Sequence, residues 1–355
     1  MEQLGLDGMP KRLYTCTPSR LNAWLDCRRR YRFTYLDRPA PPKGPPWAHN
    51  SVGASVHNAL AAWWREPYER RTPVMAAVLL TNGWLREGFR DEEQSAAWRD
   101  RAREMVSAYA GTLDPSDEPV GVERTVATRT PVIAVSGRVD RLDRRGDELV
   151  VVDYKTGRRP LTTDDARSSI ALAIYAIASS RMMRRPCHRV ELHHLPTASV
   201  VEWEHTDESL GRHLRRAEEI ALEAADADEA YRAWAGHAAS GGGARGRGGR
   251  ASSSGGAATG GSTAPREVPP EIDRLFAPEP GPICSWCDFR RHCPEGRAAS
   301  PDRLPWDGLA APQSQETVAQ ETAPQQAVPR QVARETAPQP TSAHEAVARD
   351  VSDGG

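Results

Sequence analysis

The apolar positions of the chain change period twice. After Thr17-Pro18, an N-cap followed by proline at the first helical position, Leu21, Trp24, Leu25, Arg28, Tyr31 and Tyr35 recur at helical spacing. Further helical periods are read near 51–65, 73–89 and 94–110. From 120 onward the pattern becomes strand-like: 120–128, 132–142 and 149–154 alternate or run apolar and β-branched. A helix is expected at about 164–184, then a strand pair around 188–205, then a charged helix over 207–235. Helices flanking a small mixed or antiparallel sheet make an α/β or α+β fold.

Composition narrows the class. Hydrophobic residues are 39% and charged residues 27% of 355, as in soluble globular proteins. No run approaches the roughly 18 apolar residues of a membrane span, and the first 30 residues are dense in arginine where a secretory signal would be apolar. A soluble, cytoplasmic protein without membrane association is expected. The net charge of −1 conceals a basic head and an acidic tail: residues 1–40 carry eight Lys/Arg against four Asp/Glu, and 301–355 four against eight. A basic surface is thus available to a polyanion. Of the 47 basic residues only Lys11, Lys43 and Lys155 are lysines, so each lysine stands out.

Two segments read as low complexity. Residues 236–261 hold eleven glycines among Ser, Ala and Arg, so 236–265 is expected to be a flexible linker. Residues 299–355 are rich in Pro, Gln, Ala and Glu, repeat Glu-Thr-Ala-Pro-Gln at 321–325 and 335–339, and are expected to be a disordered tail. A folded core is expected over 12–235, completed by an island at 266–298.

The chemistry concentrates in one hairpin. Gly137-Arg138-Val139-Asp140 precedes Gly146-Asp147, a two-residue turn signal, and Val151-Val152-Asp153-Tyr154-Lys155-Thr156-Gly157 follows it. With Gly146 and Asp147 as the loop, Arg145 faces Glu148 and, five steps back, Asp140 faces Asp153. Strand alternation then puts Lys155 on the face of Asp153. Two opposed carboxylates repel unless a cation lies between them, and a hard ion such as Mg²⁺ or Mn²⁺ fits that gap. A neighbouring lysine can orient water and stabilise negative charge, a role that bulkier arginine fills poorly. The same residues could instead form a plain surface ion pair.

These motifs resemble the active-site hairpin of the PD-(D/E)xK nucleases, most closely the RecB-type exonuclease branch. Thr17-Pro18-Ser19-Arg20-Leu21 ending in Cys27-Arg28-Arg29-Arg30-Tyr31 is similar to that branch's opening helix. Gly53-Ala54-Ser55-Val56-His57 is similar to its metal-binding helix, and Ala171-Leu172-Ala173-Ile174-Tyr175 to the helix after the hairpin. The resemblance implies a restriction-endonuclease-like α/β core, a small mixed sheet flanked by helices, with added N-terminal helices. It implies His57, Asp140 and Asp153 as metal ligands, the Tyr154 carbonyl as a further one, and Lys155 as the catalytic lysine. Glu123 matches an acidic position near the site, and Tyr175 would contact substrate or brace the site. Ala171 departs from the branch's usual glutamine, which bears on the strength or substrate preference of the activity.

Cysteine spacing adds a second site. Cys284, Cys287 and Cys293 form a tight cluster that wants a fourth ligand, and Cys27 is the candidate. Four thiolates suit zinc or an iron–sulfur cluster; the resemblance implies a 4Fe–4S cluster joining the domain's two ends. Cys16 and Cys187 read as buried thiols. Arg28, Arg29, Arg30 and Arg32, interleaved with Tyr31, Phe33 and Tyr35, offer the ingredients of single-strand binding, although the tyrosines also fall on the helix's apolar stripe. The expected function is a metal-dependent DNA nuclease, exonucleolytic or acting on single strands, in repair or recombination. The alternatives are a catalytically weak DNA-binding module docking on a helicase, and a nuclease of the CRISPR-adaptation type. No Gly-x4-Gly-Lys-Ser/Thr phosphate loop occurs, so any unwinding needs a helicase on another chain.

Overall fold

The computed structural model describes residues 13–240 and 268–309. Most of the glycine-rich segment and all of 310–355 lie outside the described residues. The chain begins with β1 (Tyr14–Cys16), α1 (Pro18–Asp26) and α2 (Arg28–Tyr35), followed by α3 (Ala48–Trp63), α4 (Pro73–Asn82) and α5 (Glu92–Ala110). Three strands come next: β2 (Gly121–Arg129), β3 (Ile133–Arg145) and β4 (Glu148–Lys155). Then follow α6 (Thr163–Arg167), α7 (Ile170–Met183), β5 (Arg189–His194), β6 (Ser199–Glu204), α8 (Asp207–Ser240), α9 (Pro270–Asp273) and α10 (Pro294–Ala299).

Local chemistry sets several of these boundaries. The Thr17 hydroxyl accepts from Arg20 N–H and starts α1, as its sequence signal suggested. The single opening helix is broken at Cys27, whose extended backbone ends α1 and begins α2. The helix expected over 73–89 stops at Asn82, because Gly83 caps it. The helix expected over 164–184 is two, since Ser169 starts α7 with a fresh side-chain cap. Strand β1 has only three residues, too few to leave a readable period.

The sheet runs β1-β3-β4-β5-β6, with β2 on the remaining edge of β3. β4 and β5 are parallel, β1 and β3 are parallel, and the other neighbours are antiparallel, so the sheet is mixed. Against one face, α3, α4 and α5 pack Val56, Leu60, Trp63, Leu80 and Val106 onto Val150, Val152 and Tyr154. Against the other, α7 packs Leu172, Ala173 and Ala176 onto Leu142, Leu149 and Val151. Small residues of α8 at three- and four-residue spacing, Ala217, Ala221 and Ala224, close over α1, α2 and β1.

The opening arginines prove to be scaffold. Arg29 and Arg32 pair with Asp273 at 2.7 and 2.6 Å, Arg28 with Glu223 and Arg30 with Asp26. Tyr31 is fully buried, its hydroxyl donating to Asp228 at 3.0 Å, and Phe33 is buried against Phe289. The run therefore docks the cysteine segment and α8, and its aromatics are core rather than a stacking platform. Residues 301–309, in the stretch whose composition read as tail, fold back: Ala48 N–H donates to Pro305 O at 3.0 Å at the start of α3.

Candidate metal centre

The site forms where the sheet opens. β2 lines one edge of β3 from Ala134 to Leu142. The other edge is shared by β1, opposite 133–135, and β4, opposite 141–145. Residues 136–140 of β3 therefore face no strand there. The hairpin has the expected turn, with Gly146 at φ +63°, a conformation glycine adopts without penalty. Its register is also the expected one, from Arg145↔Glu148 back to Arg141↔Val152. The ladder stops one step short of Asp140 and Asp153. At that point the Asp140 carboxylate replaces the main chain as acceptor, taking the Tyr154 N–H at 2.8 Å.

A second break lies on the other edge. The β2–β3 ladder holds Val122↔Arg141 and Arg124↔Val139 but skips the Glu123–Asp140 step between them. Glu123 sits at φ +49°, a left-handed backbone that costs a residue with a Cβ about 1–2 kcal/mol. The kink turns its carboxylate toward Asp140. One ligand atom each from His57, Glu123 and Asp140 lies within 4.8 Å of the others.

His57 arrives from α3, which also carries Gly53 and His49 on its groove side. Tyr175 of α7 closes the other flank. Its ring lies where a Cβ on Gly137 would fall, 2.4 Å from Cε1, so glycine is required for that approach.

Three carboxylates thus converge, and each holds one cation. Asp153 pairs with Lys155, Asp140 Oδ1 lies 3.3 Å from His57 Nδ1, and Glu123 Oε2 lies 2.7 Å from Arg138 Nε. Burial raises the Asp153 carboxyl; Lys155 opposes that and the Asp140 charge adds to it. Burial likewise raises Glu123 against the pull of Arg138, and Asp140 again adds. Burial alone would lower the His57 pKa, but the hydrogen bond and charge of Asp140, with Asp153 and Glu123, raise it above the ordinary imidazole value. Tyr175 is pushed up to about 12 by burial and by Asp153 and Asp140, so its hydroxyl stays a donor.

His57, Glu123, Arg138 and Thr156 line an open groove of about 1300 Å³. Trp98, Arg101, Arg158, the 195–198 turn and Trp286 extend it. The structure brings together His57, Glu123 and Asp140, with Asp153 and Lys155 beside them. It turns the Tyr154 side chain away, into the α3–α5 core beside Trp64. Arg101, Arg158 and Trp286 escaped the sequence reading. Arg158 follows the lysine motif by three residues and Trp286 lies between two cysteines, so proximity to the motifs was the available signal.

Cys27, Cys284, Cys287 and Cys293 line a single cavity walled by Phe33, Ile283 and Phe289. Among the described residues no three cysteine sulfurs lie within 4.8 Å of one another. No helix among these residues is long and apolar enough to cross a membrane.

The family model for the PD-(D/E)XK nuclease superfamily matches residues 15–294. No curated protein matches the chain.

Glu123→Gly relieves the left-handed strain and removes one repelling carboxylate. Without divalent ions the variant is expected to be about 0.5–1 kcal/mol more stable in urea, the gain from freeing such a position less the entropy of glycine. Its Mn²⁺ affinity should fall. A less stable variant with unaltered Mn²⁺ binding would show that Glu123 is a structural residue.

Proposed function

This chain belongs to the PD-(D/E)XK nuclease superfamily, and on that premise we propose that it is a metal-dependent nuclease of the RecB-type exonuclease branch, hydrolysing phosphodiester bonds in DNA from an end or on single strands. The likeness to that branch supports a role in DNA repair or recombination. The observation that carries the reading is the trio His57, Glu123 and Asp140 at the groove, beside the Asp153–Lys155 pair.

The donor set fits a hard divalent ion: carboxylate oxygens and one imidazole, half-buried, in an open groove. His57, Asp140 and Asp153 would hold Mg²⁺ or Mn²⁺, with Glu123 and the Tyr154 carbonyl as further ligands. Such an ion supplies Lewis-acid polarisation of the phosphate and a water of lowered pKa. Lys155, released from Asp153, orients the attacking water and meets negative charge developing on the phosphate. Arg101 and Arg158 meet flanking phosphates, and the Tyr175 hydroxyl donates to substrate or holds Asp153 in place.

The cysteine set fits a 4Fe–4S cluster. One early and three late thiols converge on one apolar cavity. Four thiols suit structural zinc as well as a 4Fe–4S cluster; the likeness to the RecB-type branch favours the cluster. The cluster completes the domain by holding 268–298 against α1 and α2, alongside the Arg29 and Arg32 ion pairs with Asp273. None of the six cysteines is in a disulfide, which suits a reducing cytoplasm. The chain has no nucleotide phosphate loop, so a helicase on another chain would supply any unwinding.

End-labelled single- and double-stranded linear DNA with Mg²⁺ or Mn²⁺ tests the reading. Wild-type protein should cut, and Lys155→Ala, prepared identically, should cut about 100- to 10,000-fold more slowly while still binding DNA. Equal cutting by both proteins, or folded wild type that binds but never cuts, contradicts it. Cys287→Ser should lose iron and acid-labile sulfide and become poorly soluble. Normal yield and melting temperature in that variant would remove the cluster from the fold's support.

A further inference from the structure

Arg138 is the groove arginine tied directly to the carboxylate trio. Its one ion-pair partner among the described residues is Glu123, at 2.7 Å between Nε and Oε2. Glu123 is in turn one of the three residues whose ligand atoms fit a single ion. Arg158, on the same groove, has no acidic partner among the described residues, and Arg101 lies over the Trp98 ring.

The two partners differ in freedom. The Glu123 side chain is 14% exposed and its backbone is fixed in the kink opposite Asp140. The Arg138 side chain is 70% exposed. When Glu123 turns to an ion, the mobile partner must lose its contact, and at that exposure the swing is cheap. The guanidinium is then left unpaired in a groove whose proposed ligand is a chain of phosphates, a geometry that guanidinium suits.

We propose that Arg138 is a two-position residue, counter-ion to Glu123 without metal and phosphate contact with metal, so that divalent ion and nucleic acid each strengthen binding of the other. The inference rests on the metal-centre reading of the site. By linkage the coupling is reciprocal: whatever factor the ion adds to DNA affinity, DNA adds to ion affinity. Metal binding would then prime the groove as well as the chemistry. Arg138 in this role is a positioning residue for substrate, with its availability set through Glu123.

The test uses full-length protein carrying Lys155→Ala, so that DNA stays intact, with and without Arg138→Gln. Mn²⁺ binding is read by electron paramagnetic resonance. Binding of a dye-labelled single-stranded oligonucleotide is read by anisotropy across a salt series. Without DNA, Arg138→Gln should bind Mn²⁺ about two- to fivefold more tightly, the range an exposed ion pair supports. In the parent, saturating Mn²⁺ should steepen the log-affinity against log-salt slope by about 0.7, one added phosphate contact on a single strand. In Arg138→Gln the slope should be the same with and without Mn²⁺. Unchanged Mn²⁺ affinity in the variant, or a slope change equal to the parent's, overturns the switch and leaves the metal centre standing. A parent that binds no Mn²⁺ overturns both.

Discussion

Three ionised carboxylates cannot share a half-buried pocket without cations among them. Two unit charges about 4 Å apart repel by roughly 4 kcal/mol at the effective dielectric of a protein surface. The chain meets that cost with Lys155, His57 and Arg138, one cation for each carboxylate. Much of the architecture around the site follows from seating these six groups. β3 gives up strand pairing on one edge between β1 and β4, and β2 kinks at Glu123 on the other. Asp140 takes over a ladder hydrogen bond, so the carboxylate is held by the backbone of the strand that carries Asp153 and Lys155. An ion bound in this arrangement would take over that charge balance, with His57 giving up its proton to become a ligand and Lys155 and Arg138 freed from their carboxylates.

The scaffold keeps the opening from collapsing. Helix α3, which brings His57, packs Val56, Leu60 and Trp63 into a core shared with Val150 and Val152 of β4. Its first turn is held by Pro305, and the Gly308 backbone lies against the His49 ring. The cysteine segment reaches the same region: Asp288 accepts from Trp47 Nε1–H at 3.1 Å, and Trp286, between two of the cysteines, joins the groove wall. The cysteine segment thereby forms part of the groove wall, and losing its support would disturb the groove together with the fold.

The hairpin was legible because a two-residue Gly-Asp loop fixes register, and register alone aligned Asp140 with Asp153. The sheet's mixed character and flanking helices were legible from periodicity. Other features depended on tertiary context. Nothing local marks Glu123 as left-handed, since that conformation persists only because its neighbours hold it. The role of the opening arginines was also hidden, because Asp273 and Glu223, their partners, lie far along the chain. The break at Cys27 is equally unmarked, since neither Gly nor Pro stands where the backbone becomes extended. Lys155, one of only three lysines in an arginine-rich chain, was informative because so few positions resisted arginine.

If a divalent ion binds at His57, it must compete with the proton on the imidazole, which the neighbouring carboxylates hold more tightly than usual. Calorimetric titration of wild-type protein with Mn²⁺, in buffers of different ionisation enthalpy, counts that proton directly. Near the lower end of His57's range, binding should release close to one proton, and the number should fall toward zero as pH rises through its titration. Mn²⁺ binding without proton release at any pH would mean that His57 does not become a ligand of the ion, and the central account would fail.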